Sequence, residues 1–382
     1  MSQAANYAPP GPAQPVDRRG RTRLLLVPLG IVLLLLAIPG AAYGVSQNQL
    51  SQAQSAEAAG SYAQALSHYA TVQSFAGNAV SRILLGELAE RARTGSAETH
   101  FLWGVQLRRD GKFAEGETQL RMAASSGLAD WSARANAGLA DLFSAWGAAL
   151  VAQQKFQAGI DKYKQVAAFD PTGNLASATD AALAGAYSAF AQWYGQQQPP
   201  DYPDALVWYE NLVKDFPDSA EAKLAQAGPL PQTLYNAGLA FVDQLKYQEA
   251  RDAMTELVQN YPKTSWAAQA NTALNAKQYL TGRLIVSDQN PTPVANRLVR
   301  VATHWRIVKA HTYDDSGGAT YSGSTDASGN FKILLPPGQN YLITWWDPLR
   351  KTFVTTFLSD NVPVNTITIN QLEPAHTTVA TS

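Results

Sequence analysis

Five histidines, His68, His100, His304, His311 and His376, are the side chains with which this chain could hold a metal or move a proton near neutral pH. A helical zinc site needs two of them a few residues apart on one face, and no pair has that spacing. The chain has no cysteine, which removes disulfides, thiolate metal sites and a cysteine nucleophile. No Gly-x-Ser-x-Gly elbow, Walker loop or dinucleotide fingerprint occurs. The paired carboxylates Asp314 and Asp315 sit in a Gly- and Ser-rich stretch and read as solvated. Asp326 to Asn330 lacks the ligand series and closing Glu of a calcium loop. These residues predict no catalytic group, no metal and no cofactor.

Residues suited to binding remain. Arg108 and Arg109 are an adjacent basic pair on an expected helix. Trp345 and Trp346 are adjacent on an expected strand, so their rings face opposite sides. One belongs to a core; the other, with Trp305, either docks on neighbouring helices or stacks on a sugar.

Composition narrows the partner. Lys and Arg number 29 against 30 Asp and Glu, a formal net charge of −1, so no overall field draws the chain to nucleic acid. Charged residues are 15 % of the chain, against roughly 25 % in soluble domains, which leaves a surface built from Ala, Gln, Ser, Thr and Asn.

The elements that must position these residues begin with the N-terminus. Residues 1–23 read as a disordered cytoplasmic tail that ends in Arg18, Arg19, Arg21 and Arg23. Residues 24–45 carry no charge and are long enough for a transmembrane helix. The arginines place the tail in the cytoplasm and the bulk of the chain outside the membrane. A cleaved signal peptide ending near Gly40 to Gly44 is the rival reading.

From 46 to 279 one phrase recurs: a turn residue, an aromatic, a small residue three on and a large residue four further. It begins at Tyr62, Phe113, Phe156, Tyr202 and Tyr247. Residues three and four apart share a helix face, so the small residue makes a dent into which a second helix can settle. Phe169-Asp-Pro171, Phe216-Pro217 and Tyr261-Pro262 mark where second helices stop. The pattern resembles the tetratricopeptide repeat through Gly104, Leu107, Gly111, Phe113 and Ala123, then Gly147, Leu150, Phe156, Gly159, Tyr163 and Pro171, then Gly238, Phe241, Tyr247, Ala250 and Pro262. The period here is longer than in that family. The resemblance implies stacked helix pairs that bind a protein or peptide; a spacer role is the alternative. The terminal-carboxylate clamp of some family members has no match here.

From 280 to 372 short β-branched runs are parted by Gly, Pro, Asn and Asp: 282–287, 297–302, 331–335, 341–345, 352–357 and 365–369. Thr325-Asp326-Ala-Ser-Gly329-Asn-Phe331 and Leu335-Pro-Pro-Gly338-Gln-Asn-Tyr341 resemble the carboxypeptidase regulatory-like, transthyretin-like domain. That resemblance implies an all-β immunoglobulin-like sandwich serving as an accessory module. Residues 313–325 are expected to be a mobile loop and 373–382 a disordered tail. The expectation is thus a multidomain chain: one transmembrane helix, an all-α repeat region and an all-β sandwich. It would scaffold envelope proteins or peptides without catalysis, with a structural stalk or a carbohydrate-binding surface protein as alternatives.

Overall fold

The computed structural model describes residues 41–77, 79–287, 290–359 and 361–381. The chain divides into two compact units, with the boundary between Thr179 and Asp180.

The first unit is helical. Its helices are α1 (residues 41–58), α2 (Tyr62–Phe75), α3 (Ala79–Arg109), α4 (Phe113–Ala124), α5 (Ala129–Ala152) and α6 (Phe156–Gln165), the last extended by a 3-10 turn, Val166–Ala168. They form successive pairs: α1 shares an apolar cluster with α2, and α3 packs on α4 and α5 on α6. Each first helix ends the same way. Ser61 N–H donates to Ala56 O at 2.8 Å, Lys112 to Leu107 at 2.8 Å and Lys155 to Leu150 at 2.9 Å. This six-to-one bond requires a left-handed residue just past the helix, supplied by Gly60 (φ 73°), Gly111 (φ 73°) and Gln154 (φ 59°).

Within a pair the backbones touch where both helices are small. A Cβ added to Gly147 would lie 3.0 Å from Gly159 O, and one added to Gly159 would lie 2.9 Å from Gly147 O. Gly104 and Gly116 approach in the same way, at 3.1 Å in both directions. Aromatics then lock pair to pair: Tyr62 stacks on Trp103 and Phe113 on Trp146, with centroids 6.3 and 5.8 Å apart. Leu120, Leu139, Leu142, Phe143 and Val166 fill the core beneath, each worth roughly 1.5–3 kcal/mol of burial. The long period comes from the first helices, since α3 runs 31 residues and α5 runs 24. The extra turns of α3 bury Leu85, Leu88 and Ala92 against α1 and α2.

The second unit holds most of α7 (Ala176–Gly195), then α8 (Tyr202–Asp215), α9 (Ala220–Ala227), α10 (Pro229–Asp243), α11 (Tyr247–Asn260) and α12 (Ser265–Leu274). Asp201, Ser219 and Thr264 cap α8, α9 and α12 through their side chains. The turn from α10 to α11 repeats the six-to-one bond, Lys246 to Phe241 at 2.8 Å, with Leu245 at φ 59°.

The strands follow α12 directly. In one sheet, β1 (Gln278–Val286) pairs in parallel with β13 (Ala375–Thr381) on one edge. Its other edge takes β7 (Asn330–Leu335) and β2 (Thr292–Pro293), both antiparallel. In the second sheet, β3 (Leu298–Ala302) lies between β6 (Thr320–Ser324) and β8 (Gln339–Asp347), and β8 also pairs with β9 (Thr352–Val354) and β12 (Thr366–Ile369). Two short ladders remain, β4 (Arg306–Lys309) with β5 (Thr312–Asp314) and β10 (Phe357–Ser359) with β11 (Val362–Pro363). Alternation works as the pleat requires: Phe331, Ile333 and Leu335 of β7 are buried while Asn330, Lys332 and Leu334 face out. One apolar cluster takes Leu280, Leu284 and Val379 from the first sheet and Val299, Tyr341 and Ile369 from the second. Arg251 of α11 reaches the link between β12 and β13, donating to Gln371 O at 3.1 Å and Glu373 Oε2 at 3.3 Å.

Several expectations are corrected. No helix among the described residues is long and apolar enough to cross a membrane. Residues 41–45, the end of the expected span, open α1, and Ala42 packs against the first repeat core instead. The transmembrane helix, its cytoplasmic tail and the extracytoplasmic placement are corrected accordingly; residues 1–40, on which most of that reading falls, lie outside the described residues. The expected immunoglobulin-like, transthyretin-like sandwich of carboxypeptidase regulatory-like type is not found either, because among the described residues no sheet closes into a sandwich or barrel. The Asp326 to Gly329 turn forms, with Asp326 accepting from Ser328 and Asn330 N–H at 2.8 Å. It joins strands of different sheets, since β6 pairs with β3 and β7 with β1. Much of the expected mobile loop 313–325 is strand, in β5 and β6, and residues 375–381 of the expected disordered tail are β13.

Two outcomes test this account. Leu245 is largely exposed yet left-handed, so Leu245→Gly should raise stability by about 1 kcal/mol and Gly111→Ala should lower it by about as much, read by urea unfolding. Truncation before Ala375 strips a seven-residue ladder and the buried Val379. It should lower the unfolding midpoint of the β region, whereas an unchanged midpoint would show that β13 contributes nothing.

Candidate functional site

The first unit contains a groove of about 410 Å³ between α1 and α3. Its walls follow from helical spacing. Leu50, Ala53 and Ala56 turn one stripe of α1 inward, which leaves Gln54 and Glu57 on its border. On α3 the residues Glu87, Glu90, Thr94 and Glu98 stand in one ridge, each three or four from the next, with Arg91 beside it. Tyr69 of α2 lies between the walls, only 3 % exposed. A Cβ at position 95 would overlap its ring, so Gly95 is what admits the phenol against α3.

The electrostatics of this groove are unbalanced. Four carboxylates line it against one guanidinium, Arg91. Glu90 is held by Arg93 at 3.0 Å, and Glu57 Oε2 accepts from the buried hydroxyl of Thr99. Burial pushes the Glu98 carboxyl above its ordinary value, the Glu57 charge adds to this, and Arg134 partly opposes it. Burial, then Glu57 and Glu98, push the Tyr69 phenol up to about 12. Among the described residues the Tyr69 hydroxyl has no hydrogen-bond partner.

The next repeat junction shows what those positions do when their charges match. Arg108 stands three residues before Gly111 as Glu57 does before Gly60, and Asp141 stands six before Gly147 as Glu98 does before Gly104. There the two side chains pair, Arg108 Nη1 to Asp141 Oδ2 at 3.0 Å. Arg108, expected as a binding residue, is therefore engaged internally. Arg109 is exposed at the end of α3. Glu57, Glu98 and Tyr69 were not singled out as binding residues from the sequence, although comparison of equivalent repeat positions would have exposed the charge reversal.

The structure does not gather the three tryptophans. Trp345 is buried in the strand core, Trp346 faces the other way with its ring edge-to-face on Phe353 at 5.3 Å, and Trp305 is half-buried between β3 and β4. A second cleft, of about 600 Å³, holds Arg300, Tyr313 and Asp315. Arg300 pairs with Asp315 at 2.6 Å, its guanidinium lies 4.0 Å from the Phe353 ring centre, and Tyr313 donates to Phe353 O at 3.1 Å. Asp314 is pulled down to about 2 by bonds from Ser316 and then from Arg306. The paired carboxylates are thus ion-paired rather than simply solvated. His68 and His100 each meet a glutamine, Gln49 and Gln119, across their helix pairs. Among the described residues no three His, Asp or Glu side chains gather as metal ligands.

Because the folded state raises the Glu98 pKa, it disfavours the ionised form. That penalty is present above the folded pKa and disappears below the ordinary carboxylate range, about pH 4. Glu98→Gln should therefore raise the melting temperature at neutral pH, and the gain should vanish as the pH falls to about 4. Calorimetry at both pH values checks this; a neutral-pH loss of stability would contradict it.

The tetratricopeptide-repeat family model matches residues 232–264, which span α10 from Gln232, α11 and the cap of α12. No curated protein matches the chain. Solved structures that match include a TPR repeats protein from Bacteroides fragilis, 18 % identical, covering 59 % of this chain and 95 % of that one at a TM-score of 0.31. Another is YrrB, described as a TPR protein with an unusual peptide-binding site, 13 % identical over 59 % of this chain and 90 % of its own, TM-score 0.18. PilW, a type IV pilus biogenesis factor, matches at 15 % identity over 60 % and 99 %, TM-score 0.19. The helical region is tetratricopeptide-like.

Proposed function

We propose that this chain is a non-catalytic scaffold whose helical repeats bind a peptide segment of a protein partner, with the groove between α1 and α3 as the contact site. The observation that supports this most is the set Glu57, Glu98 and Tyr69. Folding leaves two like charges acting on one another in the groove and a phenol that lines it without a described hydrogen-bond partner, while the equivalent charges one repeat later are paired. Polar groups so placed in a concave site lower stability unless a ligand completes them. A simple spacer has no need of such a site, because the Arg108–Asp141 arrangement would join successive helix pairs at less cost.

The test is selection from a random-peptide display library on the full chain. Enriched peptides should bind the parent and lose binding to Gln54→Trp, which fills the groove from an exposed position and spares the buried stripe of α1. No enrichment, or peptides that bind both proteins equally, would contradict the assignment.

A further inference from the structure

The charge of the groove specifies its ligand. We infer that the bound segment presents a lysine or arginine whose cation sits between Glu57 and Glu98 against the Tyr69 hydroxyl. This deepens the peptide-binding reading and rests on it. Three observations converge. The lining carries Glu57, Glu87, Glu90 and Glu98 against Arg91 alone, so the excess charge is negative in a chain whose overall balance is close to neutral. Glu98 is half-buried and lines the groove with Glu57, whose charge raises its pKa, and the opposing charge acting on it is Arg134. Tyr69 is nearly inaccessible apart from its place in the groove lining, and its hydroxyl makes no hydrogen bond to a described residue.

A cation answers all three. An ammonium or guanidinium donates to both carboxylates in charge-assisted hydrogen bonds, stronger than neutral ones. The phenol stays protonated at neutral pH, with its pKa pushed up to about 12, so its oxygen can accept a further N–H from the ligand. An anionic or purely apolar segment would leave the carboxylates facing each other and add desolvation to their repulsion. Arg108 and Asp141 carry out the same neutralisation from within the chain at the following junction, which shows that this geometry accommodates a guanidinium next to a carboxylate.

The experiment titrates the full chain with fluorescein-labelled hexalysine, hexaglutamate and hexaserine. Hexalysine should bind, hexaglutamate and hexaserine should not, and Glu98→Gln should weaken hexalysine about tenfold, as expected for loss of one charge-assisted contact. Because Glu98→Gln should also be the more stable protein, misfolding cannot account for that loss. Tyr69→Phe keeps the buried ring and should weaken binding a few-fold. Glu249→Gln, exposed on α11 and remote in sequence from the groove, should leave affinity unchanged. Equal weakening by Glu249→Gln would mean diffuse attraction and overturn the inference. Library-selected groove peptides that lack Lys and Arg would overturn the cation while leaving peptide binding intact, and a groove that takes no peptide would overturn both. Binding that emerges only when Arg18, Arg19, Arg21 and Arg23 are replaced by serine would assign the groove to the chain's own basic segment and overturn the partner.

Discussion

Two helix backbones can lie against one another only where neither carries a side chain, and that constraint organises the repeat region. Gly104 meets Gly116 and Gly147 meets Gly159 at carbonyl contact distance. With the crossing point pinned and the left-handed residue, Gly111 or Gln154, two before the second helix begins, the register of both helices is set. Every longer contact inherits it. The aromatic stacks from Tyr62 to Trp103 and from Phe113 to Trp146 join equivalent positions of neighbouring pairs.

A fixed register lets one geometry carry different chemistry. Residues 19 apart meet across each pair as Gln49 with His68, as His100 with Gln119, and as Phe143 with Lys162, the last with the ammonium 5.1 Å from the ring centre. Hydrogen bond, reversed hydrogen bond and cation–π contact occupy one slot. The junctions between pairs behave likewise: Arg108 with Asp141 closes one, whereas Glu57 with Glu98 leaves the other open. The difference that bears on function is thus a choice of side chain within a scaffold that does not change.

Much of the repeat was legible because its determinants are local. The aromatic, small and large residues of each phrase mark the second helices, and Gly60 and Gly111 announce their turns. Gln154 and Leu245 occupy the same left-handed position without a glycine to signal it. The strand at 330–335 follows an alternation that the sequence carries, and those at 298–302 and 339–347 follow β-branched and aromatic runs, but the sequence does not carry their partners. Pairing is non-local, so nothing in Thr320 to Leu335 reveals that the two strands flanking the Asp326 turn enter different sheets. β13 is hidden for a related reason: Ala375-His-Thr-Thr-Val-Ala-Thr381 offers one large apolar residue, Val379, and its stability comes from the ladder with β1. In the groove, Glu57 and Glu98 lie 41 residues apart in sequence and become neighbours only once the register is known.

The central claim is that the open junction is a repulsive version of the closed one. The most direct test is a double-mutant cycle in thermal unfolding, with Glu57→Arg measured in the parent and in a Glu98→Gln background. Glu57→Arg should install the charge order of Arg108 and Asp141. The account predicts that it stabilises the parent and that most of this gain is lost when Glu98→Gln removes the opposing charge. An effect of the same size in both backgrounds would show that residues 57 and 98 do not interact, and would contradict the account.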